Sequence, residues 1–170
     1  FYKPNFSYLK KFCDHERFDI VSEEVFISKS LDTEILNFDQ PDFIKIDTEG
    51  YELEILKGSN KTLSNVFGLE IECSFHQIRE KQPLFDDVRY FLENLDFVFS
   101  DFTTLIRWEK DNYSFSGQPQ MADVLFLKNE EKIIEKFKKN EMNINNLLNY
   151  FVILNIYERV DILRYVKKHT

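Results

Sequence analysis

Five ionisable side chains fall within ten residues of the stretch FIKIDTEGYELEILKG (43–58), namely Lys45, Asp47, Glu49, Glu52 and Glu54. A second set follows in FGLEIECSFHQ (67–77), where Glu70 and Glu72 alternate with apolar residues and His76 comes just after them. Carboxylates held together and partly out of water are the groups that take or hold a proton at neutral pH. Asp47, Glu49 and Glu72 are therefore candidate catalytic residues, and His76 is the histidine best placed to act as a general base. Asp47 with Glu72 also has the oxygen chemistry that suits magnesium, but two carboxylates do not define a metal site and none is expected.

Each of these residues has a plainer reading. Asp47 can form an ion pair with Lys45, and either Glu70 or Glu72 can meet the same lysine in a ladder that anchors two strands. Glu49, beside Gly50, can cap the following helix through backbone N–H groups. His76 can be an exposed loop residue. Trp108, next to Arg107, can stack on a sugar face or simply cover the core at a strand end. Cys73 reads as a small core residue with no basic partner to make it a nucleophile.

The elements that position these groups follow from periodicity. Residues 43–47 alternate as a strand, Gly50 permits a tight exit, and Leu53 with Leu56 mark one face of a helix that ends at Gly58. Residues 67–75 form the next strand, and PLFDDVRYFLENL (83–95) is an amphipathic helix with Pro83 in its first turn and Asp86 and Asp87 near its positive end. Upstream, residues 25–28 suggest a short strand and Ser30 the cap of a brief helix through Leu36. Downstream, residues 97–108 and 121–128 are two strands whose polar link, with Gly117 and Pro119, is too short for a crossover, so they pair antiparallel. The stretch 131–151 reads as two amphipathic helices packed on the body, a dimer contact being the lesser alternative. The expectation is an α/β sheet, parallel at first and antiparallel at its end, with ligands at the carboxyl ends of the parallel strands.

Side chains two apart on a strand share a face, which aligns Lys45 with Asp47 and Glu70 with Glu72. Adjacent strands would then carry a lysine and three carboxylates across the sheet, with Glu49 in the turn beyond. Burying that much charge unpaired is costly, so the alternatives are a self-satisfied ladder or the floor of an active site.

Composition bounds the partners. The 170 residues include 18 Phe and 8 Tyr with only four Gly and four Pro, enough for one core with long elements. The net charge is −8, with 13 basic and 24 acidic residues in 1–127 (−11) and 9 against 6 in 128–170 (+3). An acidic body repels phosphate backbones, so no nucleic acid partner is expected. Cys13 and Cys73 are too few and too irregular for a disulfide framework, which favours a reducing, cytoplasmic setting. No membrane span is visible, the apolar LLNYFVILNIY (147–157) being short and broken by Asn149 and Asn155. The chain opens on Phe1 in folded-looking sequence, as a piece of a longer protein would.

The runs FIKIDTEGYELEILKGSNKTL, LEIECSF, LFDDVRYFLENLDFVFSDF and ADVLFLKN, preceded by ISKSLDTEI, resemble the C-terminal half of FkbM-type methyltransferases, from about Val25 to Asn129. That resemblance implies a Rossmann-like, class I methyltransferase sheet ending in an antiparallel hairpin, with S-adenosylmethionine as cofactor and a hydroxyl of a small molecule or glycan as acceptor. It implies residues 1–128 as a partial methyltransferase domain and 129–170 as a helical extension packing on it. It places Asp47 beside the transferred methyl group, and the residue reading adds Glu49, Glu72 and His76 as catalytic candidates and Lys45, Tyr51 and Trp108 as candidates to bind the acceptor. The family's glycine loop after its first strand and its ribose-binding acid are not found, since no glycine precedes Gly50. The expected activity is O-methyl transfer by the parent protein, the alternative being a non-enzymatic α/β module that binds no cofactor.

Overall fold

The computed structural model describes residues 2–37, 39–110 and 117–170. A short helix α1 (Phe6–Leu9) and a 3₁₀ turn (His15–Phe18) open the chain, followed by α2 (Leu31–Glu34) and a second 3₁₀ turn (Ile35–Asn37). The centre comprises β1 (Phe43–Ile46), α3 (Glu52–Lys57), α4 (Asn60–Leu63), β2 (Gly68–Ser74), α5 (Phe85–Glu93), β3 (Phe97–Trp108) and β4 (Gln118–Lys128). Helices α6 (Glu130–Lys138), α7 (Ile144–Ile156) and α8 (Val160–His169) follow.

The four strands form one mixed sheet in the order β1-β2-β4-β3. β1 and β2 are parallel, with Lys45 opposite Glu70, and the helices between them supply the crossover that parallel pairing requires. β4 runs antiparallel to β2, with Glu72 opposite Asp123, and β3 is antiparallel to β4. The β3–β4 link lies largely in residues 111–116, outside the described residues, and Pro119 falls inside β4.

Alternation along the strands gives the sheet two unlike faces. Ile46, Leu69, Ile71, Val124 and Phe126 share one core with Leu56, Leu63, Val88 and Leu92 from α3, α4 and α5. On the other face Leu125 and Leu127 meet Ile133, Tyr150, Leu154 and Val166 from α6, α7 and α8. That second face also carries Lys45, Glu70, Glu72 and Asp123, so it is apolar toward the helices and charged toward the carboxyl ends of β1 and β2.

Several expectations need correction. Residues 25–28 form no strand: Val25 and Ile27 are almost fully exposed, and among the described residues no strand pairs with them. Pro83 precedes the helix instead of sitting in its first turn, because α5 begins after Leu84, whose N–H donates to Asp87 at 2.8 Å. A third C-terminal helix, α8, follows the two expected ones. Ser30 does hold the N-cap position of α2, with its hydroxyl 2.9 Å from that of Thr33.

Candidate active site

The chain leaves β1 through a turn that only a left-handed backbone can make. Glu49 has φ of 60° and Gly50 of 102°, the second being a conformation glycine adopts without strain. A Cβ at Gly50 would also stand 3.3 Å from Arg79 Cδ. Glu52 holds this turn from inside: it is buried, and its Oε1 accepts from Thr48 N at 2.9 Å, Thr48 Oγ1 at 3.1 Å and Gly50 N at 3.0 Å. These donors lie before α3, and no side chain caps the helix itself, so Glu49 does not have the capping role that the sequence allowed it.

With the turn fixed, Asp47, Glu49 and Glu72 each bring a carboxylate oxygen within 4.8 Å of the others. Glu49 is paired with the largely buried guanidinium of Arg79, so the cluster already has one cation of its own. Arg79 is locked in turn by Gln82, whose Oε1 accepts from Arg79 N at 2.7 Å. Gln82 is buried, and its Nε2 is left without a hydrogen-bond partner.

Glu72 is the perturbed member. Burial pushes its carboxyl up to about 7, and the neighbouring Asp47, Glu49, Glu52 and Asp123 carboxylates add to the effect. Both causes disfavour the anion. Lys45 does not relieve it, because its ammonium donates to Glu70 at 2.7 Å and stands 3.6 Å from Asp123. The ladder is thus Lys45 with Glu70 and Asp123, and the structure gives Asp47 no ion pair with Lys45. Glu70 is further bonded by Tyr157 Oη at 3.1 Å, and its carboxyl is held below the usual range despite partial burial.

The remaining sequence candidates lie elsewhere. His76 is half-buried, stacks on Tyr8 at 5.6 Å and accepts from Gln118 Nε2 at 3.0 Å, so it stands outside the carboxylate cluster. Trp108 packs against Phe12 and Phe18 with the Arg17 guanidinium 4.7 Å from its ring, which matches its reading as a strand-end aromatic over the core. Tyr51 is partly exposed beside the turn, 5.9 Å from the Tyr2 ring. It lines a groove of about 750 Å³ with Thr48, Glu54, Glu34 and Phe26. Cys73 is buried, and burial raises its thiol away from reactivity.

Sequence reasoning missed Glu52, Arg79, Gln82 and Asp123. Asp123 was discoverable, since the alternation of MADV puts it on the charged face of a strand. Glu52 and Arg79 depend on a left-handed turn that sequence spacing does not reveal.

A model of the methyltransferase FkbM domain matches the sequence over residues 6–99, more than half of the chain. The match starts upstream of Val25 and covers β1, the carboxylate turn and β2. No curated protein and no solved structure matches the chain.

Proposed function

Since this chain belongs to the FkbM methyltransferase family, we propose that it serves S-adenosylmethionine-dependent O-methylation of a hydroxyl on a carbohydrate or related small molecule, on a Rossmann-like sheet of the class I type. The observation that carries the acceptor side is the Glu72 carboxyl at about 7, beside Asp47 and Glu49 at the ends of parallel strands. A group that titrates near neutrality can take a proton from an attacking hydroxyl and release it afterwards.

The groove between residues 24–34 and the β1–α3 turn suits the nucleoside half of the cofactor. Tyr51, Phe26 and Ile55 line it with apolar surface, and Glu34 and Glu54 carry carboxylates that ribose hydroxyls can donate to. Those residues would hold the nucleoside, and when bound the cofactor would supply an electrophilic methyl on a cationic sulfur. Residues 1–49 contain no glycine, so they offer no glycine turn to cradle its amino-acid end.

The chain's own residues then act on the acceptor. Glu72, ionised, accepts the hydroxyl proton as the oxygen gains nucleophilicity, and Asp47 orients the same hydroxyl or a neighbouring one by accepting a hydrogen bond. Arg79 keeps the Glu49 carboxylate turned to one side, and Glu52 fixes the turn from which Asp47 and Glu49 project.

The test is incubation with a methyl-labelled donor at saturating concentration and a panel of polyols and glycans. Base-stable label on a hydroxyl oxygen is expected. Label on a carboxylate or nitrogen overturns the reaction class, and the absence of both donor binding and transfer favours the non-enzymatic module that binds no cofactor.

A further inference from the structure

The Lys45 ammonium lies among several carboxylates and settles on one of them. Lys45 stands opposite Glu70 in the β1–β2 register, and Glu72 stands opposite Asp123 in the β2–β4 register. Its Nζ donates to Glu70 Oε1 at 2.7 Å and lies 3.6 Å from Asp123 Oδ1, so it already reaches across β2 toward the residue that faces Glu72. Glu70 is held from its other side. Its Oε2 accepts from Tyr157 Oη, at the end of α7, at 3.1 Å and from Thr103 Oγ1, on β3, at 3.4 Å. Tyr157 is fixed in turn, because its ring stacks on Phe43 at 5.2 Å and its carbonyl accepts from Arg159 Nε at 2.9 Å. Both oxygens of Glu70 are therefore engaged and its side chain is largely buried, whereas Lys45 is half exposed. The carboxylate is the fixed member of the pair and the ammonium the movable one.

The surroundings of Glu72 give that pairing a consequence. Asp47 and Glu49 from the turn after β1, Glu52 from α3 and Asp123 from β4 all act on it with like charge. Cations on adjoining elements are engaged elsewhere: Arg79 with Glu49, Arg159 with Asp101, and Lys128 with the carbonyls of Leu63 and Leu95. The position of Lys45 then decides whether Glu72 has a counter-ion.

We propose that Glu70 is a positioning residue for the candidate active site: held by Tyr157 and Thr103, it keeps the Lys45 ammonium off Glu72 and so leaves that carboxyl without a counter-ion. This rests on Glu72 being the proton acceptor, and it adds how that group stays a base. An ammonium beside a carboxylate favours the anion and weakens its hold on a proton. Paired with Lys45, Glu72 would be a poor acceptor near neutral pH. Through Tyr157 the C-terminal helices contribute to the tuning of the site.

Carbon-13 NMR titration of the side-chain carboxyls tests this on the chain itself, with the Glu72 signal assigned by its loss in Glu72→Gln and circular dichroism confirming that each variant is folded. The native Glu72 midpoint is expected at about 7. Glu70→Gln keeps the shape and an acceptor for Tyr157 but removes the anion that holds Lys45, so the Glu72 midpoint should fall by about one pH unit or more. Adding Lys45→Met to Glu70→Gln should return it toward the native value, because the two charges then leave as a neutral pair. A raised native midpoint that Glu70→Gln leaves in place, or that stays lowered in the double variant, overturns the role of Glu70 alone. A native midpoint at the ordinary 4.5 defeats it together with the assignment of Glu72 as the base.

Discussion

Lys45 donates to Glu70 across the β1–β2 ladder at 2.7 Å, and Glu72, nearer the strand end, is left without that ammonium. Lys45 is half exposed, so the pair is screened and contributes about 1 kcal/mol or less. Its effect on acid stability has a definite sign. The Glu70 carboxyl is held below its ordinary 4.5, so its stabilisation is present above that pH and is lost as pH falls through the lower folded value. Lys45→Met is expected to reduce stability at neutral pH by about that amount and to flatten the acid limb, measured by denaturant midpoints from neutral to acid pH.

Glu52 should behave as a keystone of the turn. Its one oxygen satisfies two backbone donors and a hydroxyl in a buried position, and a buried donor without a partner costs about 1–3 kcal/mol. Glu52→Ala is expected to destabilise the protein by about 3 kcal/mol, while Glu52→Gln, which keeps an acceptor, should lose less than half of that. Equal losses for the two variants would mean that the charge, and not the hydrogen bonds, holds the turn.

Lys128 predicts a pH response of the same sign at the alkaline end, from a group that is destabilised by its burial. Its ammonium is buried over Phe97 at 3.9 Å and donates to the carbonyls of Leu63 at 3.2 Å and Leu95 at 2.8 Å. Burial, with a smaller push from Lys136 and against the pull of Asp96, lowers it to about 8. Between that value and about 10.4, the ordinary lysine value, the unfolded chain binds more protons, so stability rises with pH. Thermal melts from pH 8 to about 10 should show this rise, on the order of 2 kcal/mol, and Lys128→Met should abolish the slope.

Cofactor affinity should be weak for the chain as it stands. The groove beside Tyr51 offers a nucleoside wall, but no glycine precedes Gly50 to bring backbone donors against the rest of the ligand. Titration calorimetry with S-adenosylmethionine is expected to give a dissociation constant well above micromolar, where micromolar corresponds to about −8 kcal/mol. A micromolar value would mean that the groove alone suffices.

The four sheet strands and α3 and α5 were legible because their apolar spacing is local. Residues 25–28 have strand composition too, but a strand exists only with a partner, and among the described residues β1 pairs with β2 alone. The partner of Lys45 was not legible, since its choice among Asp47, Glu70 and Glu72 is set by the register of two distant segments. The clustering of Asp47, Glu49 and Glu72 follows from the strand ends that sequence alternation located. Its support by Glu52 and Arg79 arises from the left-handed turn at Glu49, an exception to ordinary backbone preference that spacing does not announce.

The central claim is that the carboxylate pair Glu72 and Asp47 serves the acceptor hydroxyl, and the pH dependence of methyl transfer tests it most directly. With Glu72 at about 7, the rate should rise with pH through a midpoint near that value as the base ionises. Glu72→Gln should remove that limb and lower turnover roughly 10²-fold or more, and Asp47→Asn should lower it by a similar factor, with cofactor affinity nearly unchanged in both. A Glu72→Gln protein that is folded, binds cofactor and keeps both the native rate and the native midpoint would contradict the account.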